Sequence, residues 1–263
     1  PFSSQDKMIL VGEGDFSFSK SIVEAGRVDP ENLISTCLDT IEDLEIKYDD
    51  SINENLEFLK ERKVKVMYKI DATDLVGSLK LIKSKHLLKN KFKNTMILND
   101  NKNLQIDYIM FNFPHLGERI KDIDRNIRQH QLLISGFFQS CKQFFDLLLE
   151  NRLILRTTNN NIDNNIDNNN NNGIIITLFE GEPYDSWQIK KIAKNFNYKV
   201  TRSGVFKWEL FPGYHHRRTN GTTKDTTKPA DKRNARMYVF HQIDENNVKN
   251  VKKQKSDDID NDS

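Results

Sequence analysis

Met8-Ile9-Leu10-Val11-Gly12-Glu13-Gly14-Asp15-Phe16-Ser17-Phe18-Ser19 is the stretch from which the rest of the chain is read. Four consecutive apolar residues run into Gly-x-Gly, the pattern of a buried parallel strand ending in a tight turn, and Ser17 to Ala25 then suits a helix. Glycine lacks Cβ, so the turn is free to take positive φ and to let a ligand approach closely. The N–H groups that open the next helix favour a polar or anionic ligand. Gly12, Glu13, Gly14, Asp15, Phe16 and Ser17 are therefore candidate cofactor-binding residues; the plainer reading is an ordinary strand-to-helix turn.

Outward from this turn, strands and helices alternate. Asn32 to Asp39 is a second apolar run that ends on a carboxylate. Ligands of doubly wound sheets sit beyond the carboxyl ends of the strands, so Asp39 lies where a ribose would be met; alternatively it is a solvated acid or helix cap before a charged amphipathic helix from Thr40 to Arg62. Val64 to Asp74 alternates apolar and polar residues and again ends in acid. Asp71 there is placed to accept from an adenine amino group, with Ala72 and Thr73 flanking the base, or else Asp71 or Thr73 caps the helix that starts near Leu75.

Lys80 to Asn103 reads as a helix followed by a polar loop, and Gln105 to His115 as a fourth strand. That strand runs into Asn112-Phe113-Pro114-His115. An amide that gives and takes hydrogen bonds, an aromatic face, a rigid φ and an imidazole at one sheet edge suit the gripping of a flat heterocycle. His115 taken alone also reads as a capping or core histidine. Asp122 to Glu150 is the longest helical pattern, and its apolar stripe, which includes Ile123, Leu132, Phe137, Phe138, Phe144 and Phe145, is assigned to packing against the sheet. Gly173 to Phe179 is a fifth strand, Asp185 to Asn195 a helix beginning near Pro183, and Tyr198 to Phe206 a sixth strand. Ala235 to Phe240 makes a last strand entering the sheet's edge.

Phe211-Pro212-Gly213-Tyr214-His215-His216-Arg217-Arg218 places aromatic faces beside a basic run, the combination used for stacking and phosphate contact with single-stranded nucleic acid. Tyr214, His215, His216, Arg217 and Arg218 are the candidate RNA-binding residues.

The 263 residues suit one α/β domain, drawn at 7–243, with a disordered Asn-rich insertion at about 157–172, a flexible loop at about 219–234 and a disordered charged tail at 244–263. A net charge of +2 imposes no global attraction to nucleic acid, so any basic surface has to be local. Cys37 and Cys141 lie apart in apolar segments without metal-ligand spacing, which predicts two buried thiols and no metal. No stretch is apolar enough to span a bilayer, so a soluble intracellular protein is expected, and a monomer is the expected state.

The last two strands are linked by a helix-free segment, as when a final strand inserts antiparallel beside its predecessor. This order resembles the class I S-adenosylmethionine-dependent methyltransferase fold: α/β, Rossmann-like, with a mostly parallel sheet and one antiparallel strand near the C-terminus. A nicotinamide-dependent (NAD) oxidoreductase is the rival, but Ser17 holds the third glycine position of its fingerprint. Val11 to Ser19, Asp71-Ala72-Thr73, Phe111 to Gly117 and Phe211 to Thr219 together resemble, in order, the motifs of the large-subunit ribosomal RNA (uridine-N3)-methyltransferase family. The resemblance implies S-adenosyl-L-methionine as cofactor, ribosomal RNA or a pre-ribosomal particle as partner, and action in the nucleus, at the nucleolus. It implies that Gly12, Glu13, Gly14 and Phe16 shape the methionine end of the pocket, that Asp39 binds ribose and that Asp71 with Ala72 binds adenine. The uracil would then lie against Asn112, Phe113, Pro114 and His115, with Asn112 also touching the cofactor. A non-catalytic RNA-binding relic of the same fold is the reading from another class; it would pair the basic segment with a broken glycine turn.

Overall fold

Seven strands form one sheet in the order β3-β2-β1-β4-β5-β7-β6. The computed structural model describes residues 2–48, 50–80, 105–117, 120–158, 172–217 and 233–243. β1 (Met8–Val11) lies at the centre and pairs in parallel with β2 (Leu33–Thr36) on one side and β4 (Tyr108–Asn112) on the other. β3 (Lys65–Met67) continues the parallel set beyond β2, and β5 (Gly173–Phe179) does so beyond β4. β7 (Ala235–Gln242) is antiparallel to both β5 and β6 (Tyr198–Val205). The expected fold class, a mostly parallel Rossmann-like sheet with one antiparallel strand near the C-terminus, is the observed one.

Alternate side chains of β1 feed two cores, as the two-residue period of a strand requires. Ile9 and Val11 join the layer with α5 (Ile123–Thr158), whereas Met8 and Leu10 join the layer with α1 (Ser17–Glu24), α2 (Ile41–Tyr48) and α3 (Asp50–Glu61). After β1 the chain winds outward through β2 and β3, then returns to the other side of β1 for β4. The crevice at that reversal, beyond the carboxyl ends of β1 and β4, is where such sheets bind ligands. It brings the Gly12–Ser19 turn beside Asn112.

Four element assignments are corrected. The charged segment from Thr40 to Arg62 forms two helices rather than one. β3 stops at Met67 because Lys69 takes a left-handed backbone, φ 59°. The helix expected from Asp185 to Asn195 is divided by Gln188 at φ 52° into a 3-10 turn, Asp185–Trp187, and α6 (Ile189–Asn195). The last strand lies inside the sheet, between β5 and β6, and β6 forms the edge; buried Ala235, Met237, Val239 and Phe240 show why it belongs inside. Ile123 and Leu132, assigned to the core stripe of α5, are 69% and 64% exposed, while the four phenylalanines of that stripe are buried.

α4 (Leu75–Ser78) is capped by Asp74, which accepts from the Gly77 N–H at 3.0 Å, so neither Asp71 nor Thr73 is its N-cap. Cys37 and Cys141 are both free and buried. The expected helix and loop over 81–103 and the tail from 244 lie outside the described residues. Of the Asn-rich insertion, 157–158 close α5 and 172 leads into β5; of the loop at 219–234, only 233–234 are described. No helix among the described residues is long and apolar enough to cross a membrane.

Candidate active site

The β1–α1 turn folds as its glycines require. Gly12 has φ +67°, and a Cβ there would run into the Phe111 ring of β4. Phe16, the residue before α1, also takes a left-handed backbone (φ 59°), while its ring is fully buried in the core. Phe16 therefore shapes the turn with its backbone and anchors it with its side chain.

Two acids close this turn from within. Asp15 is buried; its Oδ1 accepts from the Ser17 N–H at 3.0 Å and its Oδ2 from Arg217 Nε at 2.6 Å. Glu13 accepts from the Ser19 N–H at 3.1 Å and from Ser19 Oγ at 2.6 Å. Burial of the Glu13 carboxyl pushes its pKa up to about 7, against the pull of the two Ser19 bonds, and the charge of Asp15 pushes the same way. The helix-start amides of Ser17 and Ser19 are thus satisfied internally and are not ligand donors, contrary to the simplest reading of the turn. The Gly14, Asp15 and Phe16 amides are among those of this turn with no acceptor among the described residues.

Beyond β2, Asp39 pairs with Lys47 Nζ at 2.7 Å through Oδ1, and its side chain is 26% exposed. Oδ2 has no partner among the described residues. Beyond β3, Asp71 Oδ1 accepts from the Thr73 N–H at 2.8 Å and from Thr73 Oγ1 at 2.7 Å, which turns the chain toward α4. Ala72 is buried. Thr73 lies against α5, where a Cβ on Gly136 would come within 3.0 Å of its methyl.

At the end of β4, Asn112 Oδ1 accepts from Thr177 Oγ1 of β5 at 2.6 Å, and its buried Nδ2 has no partner among the described residues. Such a donor costs roughly 1–3 kcal/mol to leave unmade, so it marks a place for a ligand acceptor. Phe113 differs from expectation. Its backbone is left-handed, φ 48°, and its ring is buried among Phe179, Phe206, Trp208 and His216, stacked on Trp208 at 5.5 Å. It is a core anchor for the loop, not an open stacking face; Pro114 beside it is buried too.

His115 is exposed, and its Nδ1 accepts from the Gly117 N–H at 3.0 Å, which puts the proton of the neutral ring on Nε2. Its edge meets His130 of α5 at 5.1 Å between ring centroids. His130 is buried and stacked on Trp187 at 4.3 Å, and its Nδ1 donates to the Asn126 carbonyl at 2.9 Å. Burial lowers the His130 pKa and keeps the ring neutral.

The segment 211–217 lies across the glycine turn. Ser17 Oγ donates to the His215 carbonyl at 3.2 Å and accepts from the His215 N–H at 3.1 Å. Phe211 and Tyr214 both pack on Phe18, each at 5.1 Å. Arg217 donates to Asp15 and, at 3.3 Å, to Ser51 Oγ. Of the candidate RNA-binding residues, Tyr214 and Arg217 are thus given to the protein itself, His216 packs on Phe113, and His215 is exposed. Arg218 lies outside the described residues. Sequence reading missed Thr177, Asn55, Ser51 and His130. Asn55 Nδ2 donates to the Asp15 carbonyl at 2.8 Å, and no local pattern marks it.

A glycine turn at the reversal point of a mostly parallel sheet, with acids just beyond the next two strands, β2 and β3, is the arrangement in which such sheets hold nucleotide-bearing cofactors. Residues 9–218 match the family model described as rRNA (uridine-N3-)-methyltransferase BTM5-like. The chain belongs to that family. It is 42% identical over 269 residues to the 25S rRNA (uridine(2634)-N(3))-methyltransferase of Saccharomyces cerevisiae, covering 98% of this chain and 79% of that protein. An Arabidopsis thaliana protein, At4g26485, is 28% identical over 84% of this chain and 85% of its own length. A mouse protein, the ferredoxin-fold anticodon-binding domain-containing protein 1 homolog, is 25% identical over 90% of this chain, which spans 31% of it. Among solved structures, a TehB-like SAM-dependent methyltransferase from Corynebacterium glutamicum covers 92% of this chain and 82% of that chain at 11% identity and TM-score 0.39.

Proposed function

We propose that this protein transfers a methyl group from S-adenosyl-L-methionine to N3 of a uridine in large-subunit ribosomal RNA, acting as a monomer in the nucleus, at the nucleolus. The observation that carries the reading is the pairing, at one reversal point, of an intact glycine turn with a buried amide that lacks an acceptor. The cofactor fits the residues present. The Gly14, Asp15 and Phe16 amides suit its carboxylate, Asp39 Oδ2 suits a ribose hydroxyl, and the Asp71–Thr73 turn borders the adenine. When bound, it supplies a methyl group on positively charged sulfur.

Uracil N3 carries a proton and a delocalised lone pair, so the proton has to leave before or during attack. Asp15 is not its acceptor, because Ser17 and Arg217 occupy both of its carboxyl oxygens. His115 is the base in this proposal, through Nδ1. Its lone pair meets the Gly117 N–H in the resting protein, and substrate entry exchanges that donor for uracil N3–H. Asn112 Nδ2 holds a uracil carbonyl and stabilises the negative charge that develops on it, with Thr177 fixing the amide's orientation. Alignment of N3 with the methyl group accounts for much of the rest, since orientation contributes roughly 7–11 kcal/mol in well-placed reactions.

Calorimetric titration with S-adenosylmethionine, with NAD as control, is the direct test. Binding of the methyl donor that weakens about tenfold in Asp39→Ala, followed by transfer of labelled methyl to ribosomal RNA, is the expected result. No donor binding would favour the non-catalytic relic, and NAD binding would overturn the reaction class.

A further inference from the structure

Helix α5 begins at the same sheet edge as the candidate site, because β4 ends at Asn112 and α5 opens at Ile123. Its inner face holds His130, which His115 touches, and Ile134. Its outer face is different. Asp122, Arg125, Arg128, Gln129 and Leu132, spaced as one helical stripe, line a groove of about 510 Å³.

The chemistry of this groove is that of a phosphate site with an apolar end. Arg125 and Arg128 are exposed, and neither guanidinium has a hydrogen-bond or ion-pair partner among the described residues. Elsewhere the protein commits its arginines: Arg217 to Asp15, Arg236 to Glu180, and Arg27 to the Leu210 carbonyl. Asp122, which caps the helix by accepting from the Arg125 N–H at 2.7 Å, and Asp124 offset part of this charge, but neither forms an ion pair with a guanidinium among the described residues. Lys121, next to Asp122, is exposed and adds a third cation. Leu132, 64% exposed, closes the far end. A guanidinium fork matches a phosphate in two-pronged geometry, and RNA affinity rests on such contacts.

This inference rests on the RNA substrate proposed above and goes beyond it. A strand whose uridine reaches His115 has to continue over the neighbouring surface. The basic segment at 211–217 does not supply all the cations for it, since Arg217 is spent on Asp15. We propose that the outer face of the first turns of α5 is an RNA-docking surface, on which Arg125 and Arg128 hold backbone phosphates of the strand beside the target uridine.

The test is equilibrium binding of oligouridine and of ribosomal RNA to the full chain across a salt series. Wild type is compared with Arg125→Gln/Arg128→Gln and with Lys142→Gln, whose lysine pairs with Asp146 farther along the same helix. Loss of two phosphate contacts predicts that the slope of log affinity against log salt becomes shallower by about 1.4 for a single strand. Lys142→Gln is expected to keep the wild-type slope. Donor binding by calorimetry and thermal midpoint should be unchanged in the double variant, which keeps Asp122 and the cap. If wild type binds RNA and transfers methyl while the double variant keeps the full slope, the docking surface is wrong and the proposed function stands. If wild type shows no salt-dependent RNA binding, both fall.

Discussion

Asp15 and Asp39 are the same residue type at the same sheet edge, both expected to serve the cofactor, and both are found in ion pairs, at 2.6 and 2.7 Å. Their partners separate them. Arg217 comes from 202 residues away, and with Ser17 it consumes both oxygens of a side chain only 3% exposed. Lys47 comes from 8 residues away, on the helix that follows, and takes one oxygen of a side chain 26% exposed. The first acid is a clamp, and the second keeps one oxygen without a partner among the described residues. Whether a carboxylate binds is decided by how many of its lone pairs the protein has already used.

Removing Arg217 tests the clamp most severely. Arg217→Ala leaves a buried carboxylate without its cation, and urea unfolding is expected to show a loss of about 3 kcal/mol; Asp15→Asn in the same chain should restore part of it. A loss no larger than that of Lys47→Ala, which leaves Asp39 partly open to water and should cost about 1 kcal/mol, would erase the distinction.

Glu13 extends the comparison to an acid with no cation beside it among the described residues. Its pKa is raised from 4.5 to about 7, so between those values the folded protein binds a proton that the unfolded chain does not. Stability therefore falls as pH rises through that window, by about 3 kcal/mol if the shift is fully expressed. Glu13→Gln should flatten the pH dependence of the unfolding midpoint; an unchanged slope would place the ionised form in the fold.

His115→Ala should lower turnover by about 100-fold, or about 2.7 kcal/mol, with donor affinity nearly unchanged. Equal loss of both in single-turnover and binding measurements would remove the base assignment. Asp39→Ala is the smaller effect, a weakening of donor binding by about tenfold in titration, or about 1.4 kcal/mol. Unaltered binding would show that its open oxygen goes unused.

The sheet was legible where a local pattern sufficed. Gly173 to Phe179 is a fully buried run and forms β5 over those same residues. The glycine turn was legible for the same reason, since the positive φ at Gly12 is a local demand of the turn, although the Phe111 ring that also excludes a Cβ there comes from β4. The positions of Phe113 and β7 were not. Phe113 turns inward through a left-handed backbone that its residue type does not announce, and its ring finds Trp208 only once the last third of the chain is packed. A strand's place inside a sheet is set by its neighbours, and β7 takes its place from β5 and β6 on either side. The side chains of Arg217 and Asp15 were not read as a pair because each was judged alone, whereas each completes the other.

The crossing of 211–217 over the Gly12–Ser19 turn also orders events during synthesis. Ser17 meets His215 across 198 residues, so the Gly12–Ser19 turn stays unfinished during synthesis until His215 has been made. Up to that point a nascent chain holds Asp15 without its counter-ion and Phe18 without its aromatic cover. Contacts so distant in sequence form late, because the long intervening loop has to close first. Competence to bind and completion of the fold thus arrive together, and a partly made chain has no finished site to offer.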